Sequence, residues 1–394
     1  MREGWEYKKL GQVCTSDLGK TLNKSKDRGE LHPYLCSINI LWDKIDLSTL
    51  KQACFEAGEQ EKYTVRKGDL LVCEGGDTGR SAIWDRDETI LYQNALHRLR
   101  FHDSVFPKFV LFYLMYLKDI GEIDNKYSKG VTIKHLVKKA LLSIPLPLPP
   151  KPTQLSIVSE LDKLNELIQI KKEQLKDYDA LAQSIFYEMF GDPVENEKGW
   201  EVKKLGELCS KIGSGATPRG GNESYKDEGI SLIRSLNVYN NEFRRKDLAY
   251  IDDEQAAALS NVTILEDDVL LNITGASVAR CCIVPSDLLP ARVNQHVCII
   301  RPFDNVLVPI FLNKVLTNIS YQIRLLTLAR SKGATREALP KSVVGSLLVP
   351  LPPLSLQQSF AHKIEQIERQ KAEVQKTITD LETLLAARMQ YWFD

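Results

Sequence analysis

The chain has 394 residues, 43% hydrophobic and 26% charged, which fits two or three folded domains rather than a disordered or membrane-embedded chain. Its 52 basic and 52 acidic residues cancel, which argues against indiscriminate polyanion binding but leaves room for a local basic face. The opening Met1-Arg2-Glu3-Gly4-Trp5 has no apolar signal region, no run approaches a membrane span, and none of the eight cysteines forms a C-x-x-C pair, so free thiols in a reducing cytoplasm are expected.

In chain order, Trp5-Glu6-Tyr7-Lys8-Lys9-Leu10-Gly11 leads into a mixed α/β stretch. Asp69-Leu70-Leu71-Val72-Cys73 is a short apolar strand candidate, punctuated by the turn Glu74-Gly75-Gly76-Asp77. The proline-rich stretch from Pro145 to Pro152 cannot continue a helix or a central strand and reads as a stiff linker. From about Leu155 to Met189, Leu161, Leu164, Ile168, Leu175, Tyr178, Ala182, Ile185 and Met189 fall at steps of three and four, broken only by Lys171. Then the pattern starts again. Trp200-Glu201-Val202-Lys203-Lys204-Leu205-Gly206 repeats the opening, Val269-Leu270-Leu271 repeats the strand, and a second helix is expected from about Leu356 to Tyr391. Its stripe is Ile364, Ile367, Val374, Ile378, Leu381 and Leu385, with Lys371 and Arg388 as breaks.

The offset between copies only rises along the chain, from 195 at Trp5/Trp200 through 196 at Thr21/Thr217, 198 at Asn39/Asn237, 199 at Asp69/Asp268 and 201 at Arg100/Arg301. It reaches 203 at Ser128-Lys129-Gly130 against Ser331-Lys332-Gly333, and stays there at Pro147-Leu148-Pro149-Pro150 against Pro350-Leu351-Pro352-Pro353. A duplication with small loop insertions behaves this way; chance matches would scatter. The two helical stripes share that last offset, and a period of 3.5 marks a coiled-coil seam. Densely charged outer faces, as in Lys171-Lys172-Glu173, leave the two seams to bury each other. About 34 helical residues make a rod of roughly 50 Å.

Domain, helix, domain, helix, with each domain closing on Pro-Leu-Pro-Pro and a following Gln154 or Gln357, resembles the specificity subunit of type I restriction-modification enzymes. The similarity spans essentially the whole chain and is most typical at Gly213-Ser214-Gly215-Ala216-Thr217-Pro218-Arg219 and Leu232-Ile233-Arg234-Ser235-Leu236-Asn237. The resemblance implies an α+β fold in which two globular target recognition domains alternate with two long helices that pair as an antiparallel coiled coil, a pseudo-twofold internal repeat. The boundaries are then 1–150 for the first domain, 151–192 for the first helical region, 193–353 for the second domain and 354–394 for the second helical region. It further implies that each domain reads one half of a bipartite site in double-stranded DNA, and that the helices set the half-site gap and dock two modification subunits. Those subunits carry S-adenosylmethionine and methylate adenine. Restriction subunits, using ATP and Mg, join to cleave unmethylated DNA. This chain itself is expected to bind no cofactor, to be cytoplasmic and to have no membrane partner.

Residues able to touch phosphates or base edges in turns outside the framework are the candidate contacts. In the second copy they are Thr217, Arg219, Arg234, Ser235, Asn237, Arg280, Asn294 and Gln295; the matching places of the first hold Thr21, Asn23, Cys36, Ser37, Asn39, Arg80, Gln93 and Asn94, with Lys20, Lys24 and Lys26 nearby. Arginine pairs bidentately with guanine, Asn or Gln with adenine, while Lys and Thr more often hold phosphates. Ser37-Ile38-Asn39 and Ser235-Leu236-Asn237 match between copies and so fit framework as well as readout. Cys36 against Arg234, and Gln93-Asn94 against Asn294-Gln295, differ and are better placed to specify.

No catalytic constellation stands beside them. An adenine methyltransferase needs an Asn/Asp-Pro-Pro-Tyr/Phe motif, and Asp192-Pro193-Val194 does not qualify. There is no G-x-G-x-x-G or Walker A sequence, Gly213-Ser214-Gly215 reads as a flexible turn, and the six histidines lack metal-ligand spacing. His296, beside the amide pair, reads as structural. A non-catalytic DNA-binding subunit is therefore expected; the alternative is a protein scaffold carrying two ligand-binding domains on a coiled coil.

Overall fold

The computed structural model describes residues 4–23, 27–130, 134–330 and 337–394; Lys24, Lys26 and Ser331-Lys332-Gly333 lie outside them. Contacts group the chain into two units, Met1–Glu173 with Gln375–Asp394, and Gln174–Val374.

In the first unit a four-stranded antiparallel sheet runs in the order Cys14–Leu18, Leu96–Phe101, Leu70–Cys73, Ser81–Ile83. Every residue of Leu70–Cys73 is buried, as an interior strand covered on both faces requires. A second sheet orders Lys51–Phe55, Glu30–Leu35, Ile90–Tyr92 and Thr64–Val65, with the middle pair parallel. The second unit repeats the first sheet and three strands of the second. Cys209–Ser214, Val297–Pro302, Val269–Asn272 and Cys281–Ile283 form one sheet, and Ala249–Ile251, Ile230–Ile233 and Ala291–Val293 the other.

The matching motifs turn out to be structural pins. Arg100 grips the buried Asp69 through two hydrogen bonds of 2.7 and 2.6 Å, and Arg301 grips the buried Asp268 through two of 2.7 Å. Each carboxylate also accepts a turn N–H, from Arg66 at 2.8 Å and from Leu265 at 2.7 Å. A buried charge is tolerable only when paired and hydrogen-bonded in this way.

The expected linker is instead a strand. Pro145–Leu148 pairs antiparallel with Glu6–Lys9, and Leu348–Leu351 with Glu201–Lys204. Pro145 and Pro147 stand two residues apart, so both turn the edge that lacks an N–H away from the partner strand. The long helices begin directly after, at Lys151–Phe190 and Leu354–Phe393, 40 residues each and one to four residues longer at each end than expected. Pro152 sits in the first turn, where a missing N–H costs nothing.

One buried glutamine anchors each helix start. Gln154 Oε1 accepts the Phe106 N–H at 2.8 Å while its Nε2 donates to Pro149 O at 2.9 Å; Gln357 repeats this with Val308 at 2.9 Å and Pro352 at 2.8 Å. Each unit contains one helix's beginning and the other's end. In the first, Leu161, Ile168, Ile378, Leu385 and Met389 are buried, Glu160 meets Arg388, and Lys172 meets Glu382 at 2.7 Å. In the second, Ile364, Ile367 and Val374 are buried, Asp179 meets Lys371 at 2.7 Å, and Phe186 meets Phe360 at 5.7 Å between ring centroids. Residue numbers rise along one helix as they fall along the other. Lys371 and Arg388, which interrupt the apolar stripe, both carry ion pairs to the other helix.

Aromatic residues close each helix. Phe190 packs on Phe311 at 4.7 Å and Phe360 at 5.2 Å, and Phe393 on Phe109 at 5.5 Å and Tyr113 at 5.4 Å. Among the described residues, no helix is long and apolar enough to cross a membrane.

Candidate nucleic-acid interface

A 3₁₀ turn is the centre of the candidate site in each copy: Ser37–Asn39 and Ser235–Asn237. The asparagine holds it from within. Asn39 Oδ1 accepts the Cys36 N–H at 2.9 Å, and its Nδ2 donates to Asp46 O at 3.0 Å and Thr49 Oγ1 at 3.3 Å. Asn237 Oδ1 accepts the Arg234 N–H at 3.0 Å, and its Nδ2 donates to Arg244 O at 2.9 Å and Lys246 O at 3.2 Å. Both amides are fully buried with their hydrogen-bonding capacity turned inward, so Asn237 and Asn39 are scaffold and not base contacts.

Glycine brings a second segment against the turn. Gly19 and Gly215 press so closely on the neighbouring strand that a Cβ would lie 2.3 Å from the Gln93 carbonyl and 1.7 Å from Val293 O. Gly213-Ser214-Gly215 is therefore a strand end packed on its neighbour, not a flexible turn. The amide pairs sit on that neighbouring strand's exit at matched positions. Gln93 N–H donates to Leu35 O and Asn294 N–H to Ile233 O, each at 3.0 Å.

Burial then divides the candidates. Lys20 is buried, and its ammonium donates to Cys54 O and Glu59 Oε2, both at 2.7 Å, with Asp27 at 3.3 Å. Burial works against its charge, but the two carboxylates win and hold the ammonium above its ordinary value. The Lys20 hydrogen bond in turn holds the Glu59 carboxyl below the usual range. With its three donors occupied, Lys20 is a structural cation. Asn294 is also buried, its Oδ1 taken by the His296 N–H at 3.0 Å, whereas Gln295 is exposed. Cys36 is buried in the turn, so it presents no group where Arg234 presents a guanidinium.

In the second copy Thr217, Arg234, Ser235, Leu236, Asn294, Gln295 and His296 line an open depression of about 440 Å³. A second of about 530 Å³ adjoins it across Ser235, Leu236 and His296, and adds Tyr239, Thr274 and Arg280. Thr217 hydrogen-bonds Gln295, Gln295 Nε2 lies 3.2 Å from His296 Nε2, and His296 Nδ1 lies 2.6 Å from Thr274 Oγ1. Arg234 lies over the Tyr225 ring at 5.3 Å and donates to Asp247 O at 2.5 Å; Arg280 lies over Tyr239 at 4.3 Å. These cation–π contacts orient planar guanidinium groups at the rim. Arg219 is exposed but lines neither depression.

In the first copy, Arg80 Nη2 donates to Ser37 O at 2.9 Å, and Asn94 N–H donates to Lys20 O at 2.9 Å beside Gln93. Thr21 and Asn23 are exposed, and Asn23 N–H donates to Asp27 Oδ2 at 2.8 Å. Tyr225, Tyr239 and Thr274 escaped the sequence reading. Tyr239 aligns with Leu41 and so carried no repeat signal. Among the described residues no cluster of three or more His, Cys, Asp or Glu side chains is placed to hold a metal.

The model of the type I restriction modification DNA specificity domain matches the chain twice, over residues 2–177 and 197–383. The chain belongs to that family. Two specificity domains thus occupy one chain, and their common framework is the turn, glycine and Asp–Arg architecture just described. The type I restriction enzyme EcoBI specificity subunit of Escherichia coli is 24% identical over 348 residues, covering 81% of this chain and 71% of that one. A candidate type I restriction enzyme MjaX specificity subunit of Methanocaldococcus jannaschii is 24% identical over 419 residues, covering 97% and 93%. In fold, the chain is similar to the type I restriction-modification system S subunit from M. genitalium, with a TM-score of 0.56 at 14% identity over 99% of this chain and 96% of that one. It is also similar to a chain from a study of complex assembly and conformational transition of the type I system, with a TM-score of 0.63 at 19% identity over 100% and 98%.

Proposed function

We propose that this specificity subunit reads a bipartite, asymmetric site in double-stranded DNA, one half-site per domain, and that it is non-catalytic. The observation that carries the reading is the double match to a DNA specificity domain whose two copies keep their buried pins and differ at several of the polar positions around them, such as Asn23 against Arg219 and Asn94 against Gln295. Thr217, Arg234, Ser235, Arg280 and Gln295 are the proposed contacts of the second domain, with Arg219 beyond the depressions. Thr21, Asn23, Arg80, Gln93 and Asn94 are those of the first. Arginine and glutamine supply base readout, and the hydroxyls hold phosphates.

The domains are taken as 1–150 and 193–353, and the helical regions as 151–192 and 354–394. The opposed ion pairs Glu160–Arg388 and Asp179–Lys371, one in each unit, support an antiparallel coiled coil that sets the gap between half-sites. The exposed helix faces would dock two modification subunits, which bring S-adenosylmethionine. Restriction subunits would bring ATP and Mg.

Mapping methylated adenines in the genome of cells that carry this chain with its modification partner tests the whole reading. The expected result is one asymmetric site with a fixed gap. Methyl transfer by the purified chain alone would overturn the non-catalytic assignment. Absence of any sequence-dependent, salt-sensitive DNA affinity in the reconstituted complex would overturn the DNA reading.

A further inference from the structure

Ile38 and Leu236 stand out on the two reading turns. They are aliphatic, occupy the same place in both copies, and are 52% and 39% exposed, while the aliphatic residues two positions on, Ile40 and Val238, are fully buried. Lone exposed aliphatics need no explanation. A matched pair on a turn braced by a buried asparagine in each domain does. Beyond the buried asparagine, the preceding carbonyl is tied on each side: Arg80 donates to Ser37 O at 2.9 Å, and Asn272 donates to Ser235 O at 2.8 Å. The following carbonyl is tied too, by Asp46 N–H on Asn39 O and Arg244 N–H on Asn237 O, both at 2.8 Å. Leu236 forms the ridge between two depressions rimmed by Arg234, Arg280, Gln295 and His296.

We propose that Ile38 and Leu236 are apolar wedges, each pressing into a base step of its half-site and partly unstacking it. Three features favour this over a base-specific contact. The two domains differ at Asn23 against Arg219, Cys36 against Arg234, and Gln93-Asn94 against Asn294-Gln295, yet both keep an aliphatic here, so its task is common to two different sequences. A wedge must push against base stacking without yielding, and only a braced turn can do that. Around Leu236 the cationic rim of Arg234 and Arg280 matches the phosphates on either side of an opened step. The inference rests on the DNA reading above.

The test uses the full chain reconstituted with its modification subunits and duplexes carrying 2-aminopurine at successive adenines of each half-site. Wild type is expected to bind and to raise fluorescence at one step per half-site. Ile38→Ala should abolish the rise in the first domain's half-site only, and Leu236→Ala in the second's only, each with about a tenfold loss of affinity, the burial of one aliphatic side chain. Leu236→Phe should retain the rise, and thermal unfolding of all three variants should match wild type because both positions are exposed. If wild type binds its site and neither alanine variant changes fluorescence, the wedge is wrong while the DNA reading stands. It is equally wrong if the affinity lost in Leu236→Ala disappears when one thymine is replaced by deoxyuridine, since that marks a methyl contact. If wild type shows no sequence-dependent binding, the DNA reading itself falls.

Discussion

Lys20 and Arg280 are both cations near the 3₁₀ turns, yet one is enclosed and the other lines an open depression. Lys20 is enclosed by Cys54 O, Glu59 and Asp27. Replacing it with methionine strands two carboxylates, so the first domain should lose about 2–4 kcal/mol by chemical denaturation. The sign of its pH dependence follows from the shifts. The Glu59 carboxyl is held low, so its contribution is present above the ordinary carboxylate pKa and is lost as pH falls through the folded value. Lys20 is held high, so its contribution is present below its ordinary pKa and is lost as pH rises through the folded value. Wild type should therefore lose more stability than Lys20→Met on acidification; parallel acid curves would contradict the assignment. Arg280→Ala should do the reverse, leaving the unfolding midpoint in place while weakening site binding about tenfold or more. A shifted midpoint with unchanged binding would make Arg280 structural.

Element by element, the long helices were legible because a stripe at steps of three and four is a local pattern that any packed helix must show. Their ends were less so. Pro145–Leu148 reads as a linker from composition, because proline is excluded from central strands; it pairs as an outer strand because Glu6–Lys9, about 140 residues earlier in chain order, offers a partner. The glutamine after Pro-Leu-Pro-Pro was visible as a repeat, but its function was not. Gln357→Leu leaves the Val308 N–H and the Pro352 carbonyl unpaired in the interior, and should cost about 2–3 kcal/mol. The matching Gln154→Leu should cost a similar amount; a negligible loss in both would show that water replaces the amide. Phe190→Ala removes a ring from the Phe311–Phe360 cluster and should destabilise the second unit by about 3–5 kcal/mol, measured by its unfolding transition.

At the level of the whole chain, each unit joins the start of one long helix to the end of the other, and the division falls beside Glu173 and Val374. Matched heptads inserted at both places keep the apolar stripe in register and lengthen each helix by about 10 Å. The proposed spacer then predicts a methylation site with the same half-sites and a wider gap. An unchanged gap in the mapped site would remove the ruler from the model. Exchanging residues 12 to 140 for those of a relative should change one half-site alone.

The doubled plan and its drift in offset were determined by the sequence alone, since copied motifs and helical periodicity need no knowledge of neighbours. Those same motifs located the two matched 3₁₀ turns. Which polar residues on them face outward was decided only by the tertiary structure. Lys20 finds partners 34 and 39 residues further along, and Asn237 closes on carbonyls seven and nine residues away. Burial is a property of what the fold brings together, so a lysine and an asparagine that look like contacts in one dimension become pins in three, while Leu236, next to that asparagine, faces out.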